Sequence, residues 1–353
     1  MKYSIIVPVY NRPDEVDELL QSLTEQELKD FEVVIVEDGS QKPCKDVCDK
    51  FADILDLHYY VKENGGPGQA RNYGAERAHG EWLIILDSDV VLPKGYLKAV
   101  EDGLRGERRE ERGEFAAFGG PDASHPSFTP VQKAISYSMT SFFTTGGIRG
   151  GKKKLDKFYP RSFNMGIRRD VYQQLGGFSK MRFGEDIDFS YRIVEAGYNP
   201  QLIPDAWVWH KRRTDFRKFF RQVYNSGIAR INLEKRHPGT LKLVHLLPMV
   251  FTVGVIALIL IAAVARAMIH YDAPHWHTWY WICLLALSPI LFYSLIIFID
   301  SSIKNKSLKV GLLSVPAAFV QLMGYGFGFI ESWWKRCVMK KDEFQAFEKN
   351  FYK

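Results

Sequence analysis

The chain has 353 residues, of which 46% are hydrophobic and 25% charged, and its formal net charge is +6. This material is enough for the core of one large domain or two smaller ones. Cys44 and Cys48 could meet on one helix face, but Cys283 and Cys337 are far along the chain, which excludes a disulfide framework and a cysteine metal site.

The first 86 residues predict strands and helices in alternation. Apolar runs predict strands over 3–10, 31–37, 57–61 and 82–86. Pro13 begins a helix whose apolar residues recur at helical spacing, a second helix carries the two nearby cysteines, and a third covers 69–78. Strands and helices in this order imply a mainly parallel sheet with right-handed crossovers.

Polar residues follow three of these strands, at Pro8 to Asn11, at Asp38-Gly39-Ser40 and at Asp87-Ser88-Asp89. Carboxyl ends of parallel strands meet at one edge, where open α/β sheets bind ligands. The glycine turn 65–68 lets the backbone approach a ligand beside a helix N-terminus. This layout indicates a nucleotide site, although neither a dinucleotide fingerprint nor a Walker lysine motif is present.

The Asp87-Ser88-Asp89 triplet has two interpretations. Two carboxylates one residue apart suit a divalent cation that keeps waters and bridges phosphates. The alternative is an Asx turn that caps the next segment. Arg71 has the same duality, since it could meet a phosphate or a base edge or could be a solvated helix arginine.

The middle of the chain carries weaker signals. Residues 118–121 predict a strand that leads into a turn, and 146–154 predict a mobile glycine- and lysine-rich loop that is either a lid or a plain surface loop.

Glu185 and Asp186 follow a glycine and open a helix, where the first turn favours anions. The alternative is an ordinary helix start, since such starts also carry acidic residues. His210 ends an apolar strand over 206–209, and a lone histidine is usually structural.

The last third of the chain predicts membrane spans. Residues 246–265, 279–299 and 310–330 are uncharged, and each run has about the 20 residues that a bilayer-crossing helix needs. Tryptophans begin the second run and follow the third, where interfacial belts lie. The basic, aromatic stretch 211–221 is expected to lie against anionic head groups, which disfavours nucleic acid as its partner.

The topology of these spans is open from sequence. Three crossings from a cytoplasmic start place the tail outside, whereas the lysines and arginines at 335–341 and 304–309 both favour the inside. One segment is then re-entrant or interfacial. The first, interrupted by Pro248, and the third, with Gly324, Gly326 and Gly328, are the two candidates.

Four motifs together resemble the family 2 glycosyltransferases of GT-A fold. They are Ser4 to Arg12, Val36 to Ser40, the turn Asn64-Gly65-Gly66 running into 70–74, and Asp87-Ser88-Asp89. The resemblance covers roughly residues 3–230. It implies an α/β GT-A nucleotide-diphospho-sugar transferase fold followed by transmembrane helices, and the absence of a Gln-x-x-Arg-Trp motif disfavours processive polymer synthesis.

The resemblance implies a role for each matching residue. Asp186 would be the base that deprotonates the acceptor hydroxyl, with Asp188 in reserve, and Glu185 would position acceptor or donor. Asp89 would coordinate Mg²⁺ or Mn²⁺ together with Asp87 and His210. Asp87 would also lie near the ribose. The implied nucleotide-binding residues are Pro8, Val9, Tyr10, Arg12, Asp38 against uracil, Gly66, Arg71, Asp87 and Ser88.

We therefore expect a membrane-anchored, metal-dependent, inverting glycosyltransferase with a UDP-sugar donor and a glycan or lipid-linked acceptor. Its expected parts are a catalytic domain over 1–215, a basic amphipathic juxtamembrane segment over 216–241, transmembrane helices over 242–332 and a basic tail over 333–353. Without a recognisable signal peptide, the catalytic domain is expected in the cytoplasm, on a multi-pass inner-membrane protein. The alternatives are a polyprenyl-phosphate glycosyltransferase and a non-catalytic nucleotide-sugar-binding membrane module.

Overall fold

The structure is a computed structural model that describes residues 1–106, 114–125, 127–145, 158–211, 213–271, 273–344 and 346. The loop predicted over 146–154 lies outside these residues. The chain divides into two compact units. One comprises Met1–Pro126 and Lys152–Lys211, and the other comprises Ser127–Gly151 and Arg212–Lys353.

The first unit contains ten strands among its described residues. In chain order they are β1 (Tyr3–Val9), β2 (Phe31–Asp38), β3 (Leu57–Lys62), β4 (Trp82–Leu86), β5 (Val90–Val91), β6 (Ala117–Gly119), β7 (Asp122–Ala123), β8 (Asn164–Arg168), β9 (Gln201–Leu202) and β10 (Val208–His210). Seven of them form one sheet in the order β3-β2-β1-β4-β8-β6-β9. The first four of these run parallel, as the sequence predicts, and β8 is antiparallel to both of its neighbours.

Helices cover both faces of this sheet. They are α1 (Pro13–Thr24), α2 (Lys45–Asp49), α3 (Pro67–Ala75), α4 (Tyr96–Gly106), α7 (Arg169–Gln174) and α8 (Glu185–Glu195), and the numbers α5 and α6 belong to the second unit. Successive residues of β1 point to opposite layers. Ile5 belongs to the core cluster that contains Leu19 and Leu20 of α1, whereas Ile6 belongs to the cluster that contains Ala70 of α3 and Phe189 of α8. Burial on both faces explains why the strands are continuous apolar runs.

A second, three-stranded sheet has the order β5-β10-β7. In it β10 is antiparallel to β5, with His210 opposite Val90 and Trp209 opposite Val91. Val90 directly follows Asp89, so this short pairing brings His210 beside the carboxylates at the end of β4. The apolar run 206–209 thus contributes a strand that begins at Val208 and includes His210.

The second unit is helical. Its helices are α5 (Pro130–Thr140), α6 (Phe142–Thr145), α9 (Phe216–Arg236), α10 (Leu247–Tyr271), α11 (Trp276–Asn305) and α12 (Leu308–Trp333). Three described helical stretches, Leu243–Tyr271, Trp276–Asn305 and Leu308–Val338, are long and apolar enough to cross a membrane. They contain the three uncharged runs of the sequence. Residues 130–145, where the sequence gives weak signals, form helices of this unit.

Candidate active site

The end of β2 is joined to the glycine turn by Asp38. This carboxylate is 3% exposed, and its oxygens accept hydrogen bonds from the amides of Gly65 at 2.9 Å and Gly66 at 2.8 Å. Lys62 donates a third bond at 2.8 Å. Gly66 has a φ of +90°, which favours glycine, and it precedes Pro67 at the start of α3. Asp38 therefore holds the turn from which α3 begins.

Arg71 of α3 is the buried centre of the site. Its guanidinium donates one hydrogen bond to Asp87 and one to Glu185, each at 2.8 Å, and lies 5.2 Å from the ring centre of Phe178. Burial disfavours the charged guanidinium, but the two carboxylates outweigh burial and raise the pKa of Arg71. The solvated-helix alternative for Arg71 is thus wrong, since its side chain is 3% exposed.

Asp87, Asp89 and His210 form a cluster of possible metal ligands. One ligand atom from each lies within 4.8 Å of the others, and all three side chains are partly accessible. Asp89 is 3.2 Å from His210 Nε2 and 3.5 Å from Arg12, and the His210 ring stacks on Phe163 at 5.0 Å. Two carboxylates and an imidazole fit Mn²⁺ or Mg²⁺ with remaining positions open to water or phosphate.

Glu185 and Asp186 open α8 behind Gly184, whose φ is +82°. Burial and the neighbouring Asp186, acting against Arg71, raise the pKa of Glu185 to about 7. Burial would also raise the pKa of Asp186, but Arg161, donating to it at 2.6 Å, lowers that pKa below the ordinary value. The amide of Ile187 donates a further bond to Asp186 at 2.9 Å. Asp186 is therefore a buried carboxylate that stays ionised.

The other residues that the sequence predicted for the site differ in their exposure and in their hydrogen-bond partners. Val9 is buried at the end of β1, Pro8 and Tyr10 are partly accessible, and Ser88 is 8% exposed. Arg12 bonds Glu15 at 3.1 Å as well as facing Asp89. Asp188, the reserve base, accepts a bond from Arg192 at 3.1 Å and is 3% exposed. Asp188 therefore stabilises α8 through this bond within the helix.

Sequence reasoning missed three residues of this site. Arg161 holds Asp186, Phe163 stacks on His210, and Asp122 lies 3.9 Å from His210 Nδ1. Arg161 and Phe163 directly precede β8, and Asp122 begins β7. Only Asp122 had a possible signal, because it follows the strand-to-turn stretch 118–121. Arg161 and Phe163 sit in no recognisable motif.

The sequence profile of glycosyl transferase family 2 matches residues 4–176. This part of the chain belongs to that family. The family 2 segment contains the turn that Asp38 holds, Arg71 and the Asp87-Ser88-Asp89 triplet. Glu185, Asp186 and His210 follow it in the chain.

Two curated relatives extend this finding. Poly(ribitol-phosphate) beta-N-acetylglucosaminyltransferase TarS of Staphylococcus aureus is 39% identical over 102 residues, which are 28% of this chain and 18% of that protein. Glycosyltransferase AglE of Haloferax volcanii is 26% identical over 240 residues, which are 65% of this chain and 73% of that protein. The match thus spans under a fifth of the first relative.

One solved structure shares the fold. Mannosyltransferase PcManGT from Pyrobaculum calidifontis, solved in complex with GDP-Man and Mn²⁺, is 15% identical with a TM-score of 0.55, over 95% of this chain and 88% of that chain. The predicted GT-A fold is confirmed, because residues 4–176 match family 2, the chain shares its fold with this glycosyltransferase, and it has a mainly parallel sheet followed by three long apolar helices.

Proposed function

We propose that the chain is an inverting, metal-dependent glycosyltransferase that transfers a sugar from a nucleotide donor to an acceptor at the cytoplasmic face of the inner membrane. We take a UDP-sugar as the donor and a glycan or lipid-linked hydroxyl as the acceptor. The observation that carries the proposal is the buried bridge through Arg71, since one guanidinium joins the carboxylate pair after β4 to the pair that opens α8.

This bridge has a chemical consequence. Arg71 fixes Asp87 and Glu185 relative to one another within a single set of hydrogen bonds. A donor diphosphate near Asp87 and an acceptor near Asp186 would then be adjacent. Alignment of two reactants in this way contributes more to a direct displacement than the basicity of the catalytic group.

In the proposed reaction Asp186 takes the proton of the acceptor hydroxyl. The acceptor oxygen forms a bond to the anomeric carbon while the bond from that carbon to the diphosphate oxygen breaks, and the nucleoside diphosphate leaves with the electron pair. One displacement inverts the anomeric configuration. Arg161 and the Ile187 amide support this role, because they orient the carboxylate and keep it ionised.

The divalent cation would be held by Asp87, Asp89 and His210. When bound, it supplies positive charge that offsets the charge developing on the diphosphate leaving group. Arg12 is suited to assist, since it faces Asp89 from α1's N-cap position and carries a permanent charge.

The decisive experiment compares Asp186→Asn with the wild type in release of nucleoside diphosphate from a panel of nucleotide sugars. We expect Asp186→Asn to lower kcat by at least about 100-fold, the usual range for general base catalysis, while donor binding persists. Asp170→Asn is the matched control, because Asp170 is a surface residue with 66% of its side chain exposed. Chelation of divalent cations should abolish turnover.

Other outcomes would change the proposal. Unchanged turnover in Asp186→Asn, together with severe loss on mutating basic residues, would favour a phosphate acceptor such as a polyprenyl phosphate, whose oxygen needs little help from a base. If the wild type binds a nucleotide sugar but neither hydrolyses nor transfers it over a long incubation, the protein is a binding module.

A further inference from the structure

Helices α9 and α12 lie side by side and run in the same direction. At the start of α9, Phe216 packs against the same apolar cluster as Val320 of α12. Further along, Gly324 faces Phe220 and Val223, and a side chain at Gly328 would collide with the carbonyl of Tyr224. The last contacts are Ser332 to the carbonyl of Ile228 at 3.2 Å and Tyr224 to Glu331 at 2.6 Å. Residues 216–228 therefore follow α12 from about 320 to 332.

This pairing conflicts with a membrane-spanning α12. If residues 308–333 crossed the bilayer, α9 would be drawn into the hydrocarbon beside them. Arg221 adjoins Phe220, which faces Gly324, so its guanidinium would lie near the bilayer centre. Arg217 and Lys218 are exposed on the same helix and would be in lipid as well. Cationic side chains at that depth are strongly unfavourable.

The side-chain contacts of α12 with the other two apolar helices include several near one end of each helix. On α11 they involve Tyr293, Ile297 and Ser301, the last hydrogen-bonded to Ser314 at 2.7 Å. On α10 they involve Thr252, whose hydroxyl lies 3.5 Å from the carbonyl of Leu322, and a side chain at Gly326 would collide with Thr252. α12 thus runs antiparallel to the last part of α11 and meets the first turns of α10, at the base of the hairpin.

The remainder of the hairpin has the length of a bilayer core. Residues 253–271 of α10 and 276–292 of α11 extend beyond the α12 contacts, and at about 1.5 Å per residue they span about 28 Å and 26 Å, against a core of about 30 Å. The 18-residue apolar windows of α10 and α11 are 17% and 11% buried within the protein, compared with 44% for that of α12. Lipid is the natural environment of the first two, and Arg266, five residues before the end of α10, can extend its guanidinium to the nearby surface.

We propose that only α10 and α11 cross the membrane, as a hairpin, and that α12 and α9 lie together at the surface with the basic face of α9 against anionic head groups. Both ends of the second unit are then on one side. The connection 212–215 is too short to cross a bilayer, so the first unit is on that side too.

This arrangement removes the conflict in the charge distribution. The loop 304–309 and the residues after α12 carry Lys304, Lys306, Lys309, Lys335, Arg336, Lys340 and Lys341, and all lie on the same side as α9. The connection 272–275 on the other side has neither lysine nor arginine. By the positive-inside rule, the side with the basic residues is the cytoplasm.

Native Cys337 allows a direct test, because it is exposed just after α12. It is labelled with a membrane-impermeant maleimide in intact spheroplasts and in inverted vesicles, in a Cys283→Ser background. The double variant Cys283→Ser/Cys337→Ser is the background into which two cysteines are introduced separately. They are His275→Cys in the hairpin connection and Lys98→Cys on α4. Labelling in detergent shows that each thiol is reactive.

We expect Cys337 and Lys98→Cys to react from the same side, in inverted vesicles, and His275→Cys to react in spheroplasts. If Cys337 reacts from the same side as His275→Cys, α12 crosses the bilayer and the proposal is overturned. Labelling requires no turnover, so the outcome is independent of the proposed activity.

Discussion

Arg71 is the residue on which the candidate site depends most. Arg71→Met would leave Glu185 buried without its cation, and breaking a buried pair in this way costs about 3–5 kcal/mol of stability. Arg71→Lys keeps the charge, but an ammonium does not reproduce the two directed guanidinium bonds to Asp87 and Glu185. We expect Arg71→Lys to fold and to lose at least about 10-fold in kcat/KM.

Thermal unfolding and nucleoside diphosphate release check these expectations together. Arg77→Met is the matched control, since Arg77 lies just after the end of α3 and has 33% of its side chain exposed. Full activity in Arg71→Lys would show that the bridge contributes charge alone. Equal destabilisation by Arg71→Met and Arg77→Met would contradict the buried-pair account.

Glu185 predicts a pH dependence of stability. Its pKa of about 7 exceeds the ordinary 4.5, so the folded chain binds this proton more tightly than the unfolded chain. The resulting stabilisation is complete below pH 4.5 and is lost as the pH rises through 7. Relative to Glu185→Gln, which does not titrate, the wild type should lose on the order of 1–3 kcal/mol between pH 5 and 8.

Thermal unfolding of both proteins at a series of pH values measures that difference. Asp170→Asn, which alters an exposed carboxylate, should show no comparable trend over the same range. A constant difference between wild type and Glu185→Gln from pH 5 to 8 would mean that Glu185 remains ionised beside Arg71.

At the scale of elements, the contact of α9 with α12 depends on glycine. Gly328→Ala places a methyl group against the backbone of Tyr224, so the two helices must separate, and we expect a loss of about 1–3 kcal/mol, as for other overpacked sites. Gly254→Ala is the matched control, because a methyl group there meets nothing within 4 Å. That variant should be neutral or gain up to about 1 kcal/mol from helix propensity.

The two alanine variants are compared by their unfolding midpoints, measured in the same detergent. A Gly328→Ala protein as stable as Gly254→Ala would show that the helices tolerate a wider separation.

Elements with strong local patterns were predictable from sequence. Strands β1, β2 and β4 are continuous apolar runs because both of their faces are buried, and the rule for carboxyl ends then locates Asp38 and Asp87. Short elements were not predictable. Strands β5 and β10 have two and three residues, and their pairing across some 120 residues, which brings His210 to Asp89, leaves no periodic signal.

The helical unit shows the same limit. Charge and spacing in residues 216–236 indicate an amphipathic helix beside a membrane, and the sequence alone does not tell whether lipid or protein covers its apolar face. The structure gives α12 as the cover, through Gly324 and Gly328, which the sequence offered only as one of two interpretations of the topology. Arg161 was missed because an ion pair between a residue ahead of β8 and the first turn of α8 has no pattern in sequence.

For the whole molecule, cation binding should stabilise the fold. At a Mn²⁺ concentration about 100-fold above its Kd, the stability should rise by about 2.7 kcal/mol. Asp89→Asn and His210→Ala should each reduce this gain, because both side chains belong to the ligand cluster. Asp205→Asn, an exposed site in the same unit, is the control.

The gain is measured as the shift of the unfolding midpoint on titration with Mn²⁺ or Mg²⁺, without any substrate. An equal shift in wild type, Asp89→Asn and His210→Ala would place the cation elsewhere. Absence of a shift in the wild type would mean that the cluster needs the donor diphosphate to complete it.

The partnership of α9 with α12 also affects how the protein is made. The chain between the end of α9 at Arg236 and the end of α12 at Trp333 contains the whole hairpin. At about 5–20 residues per second, the ribosome needs on the order of 5–20 s to add those roughly 100 residues. During that interval Phe219 and Val223, which share a cluster with Val320, have no α12 to pack against. The nascent helix must meanwhile be sheltered by the lipid surface or by a chaperone.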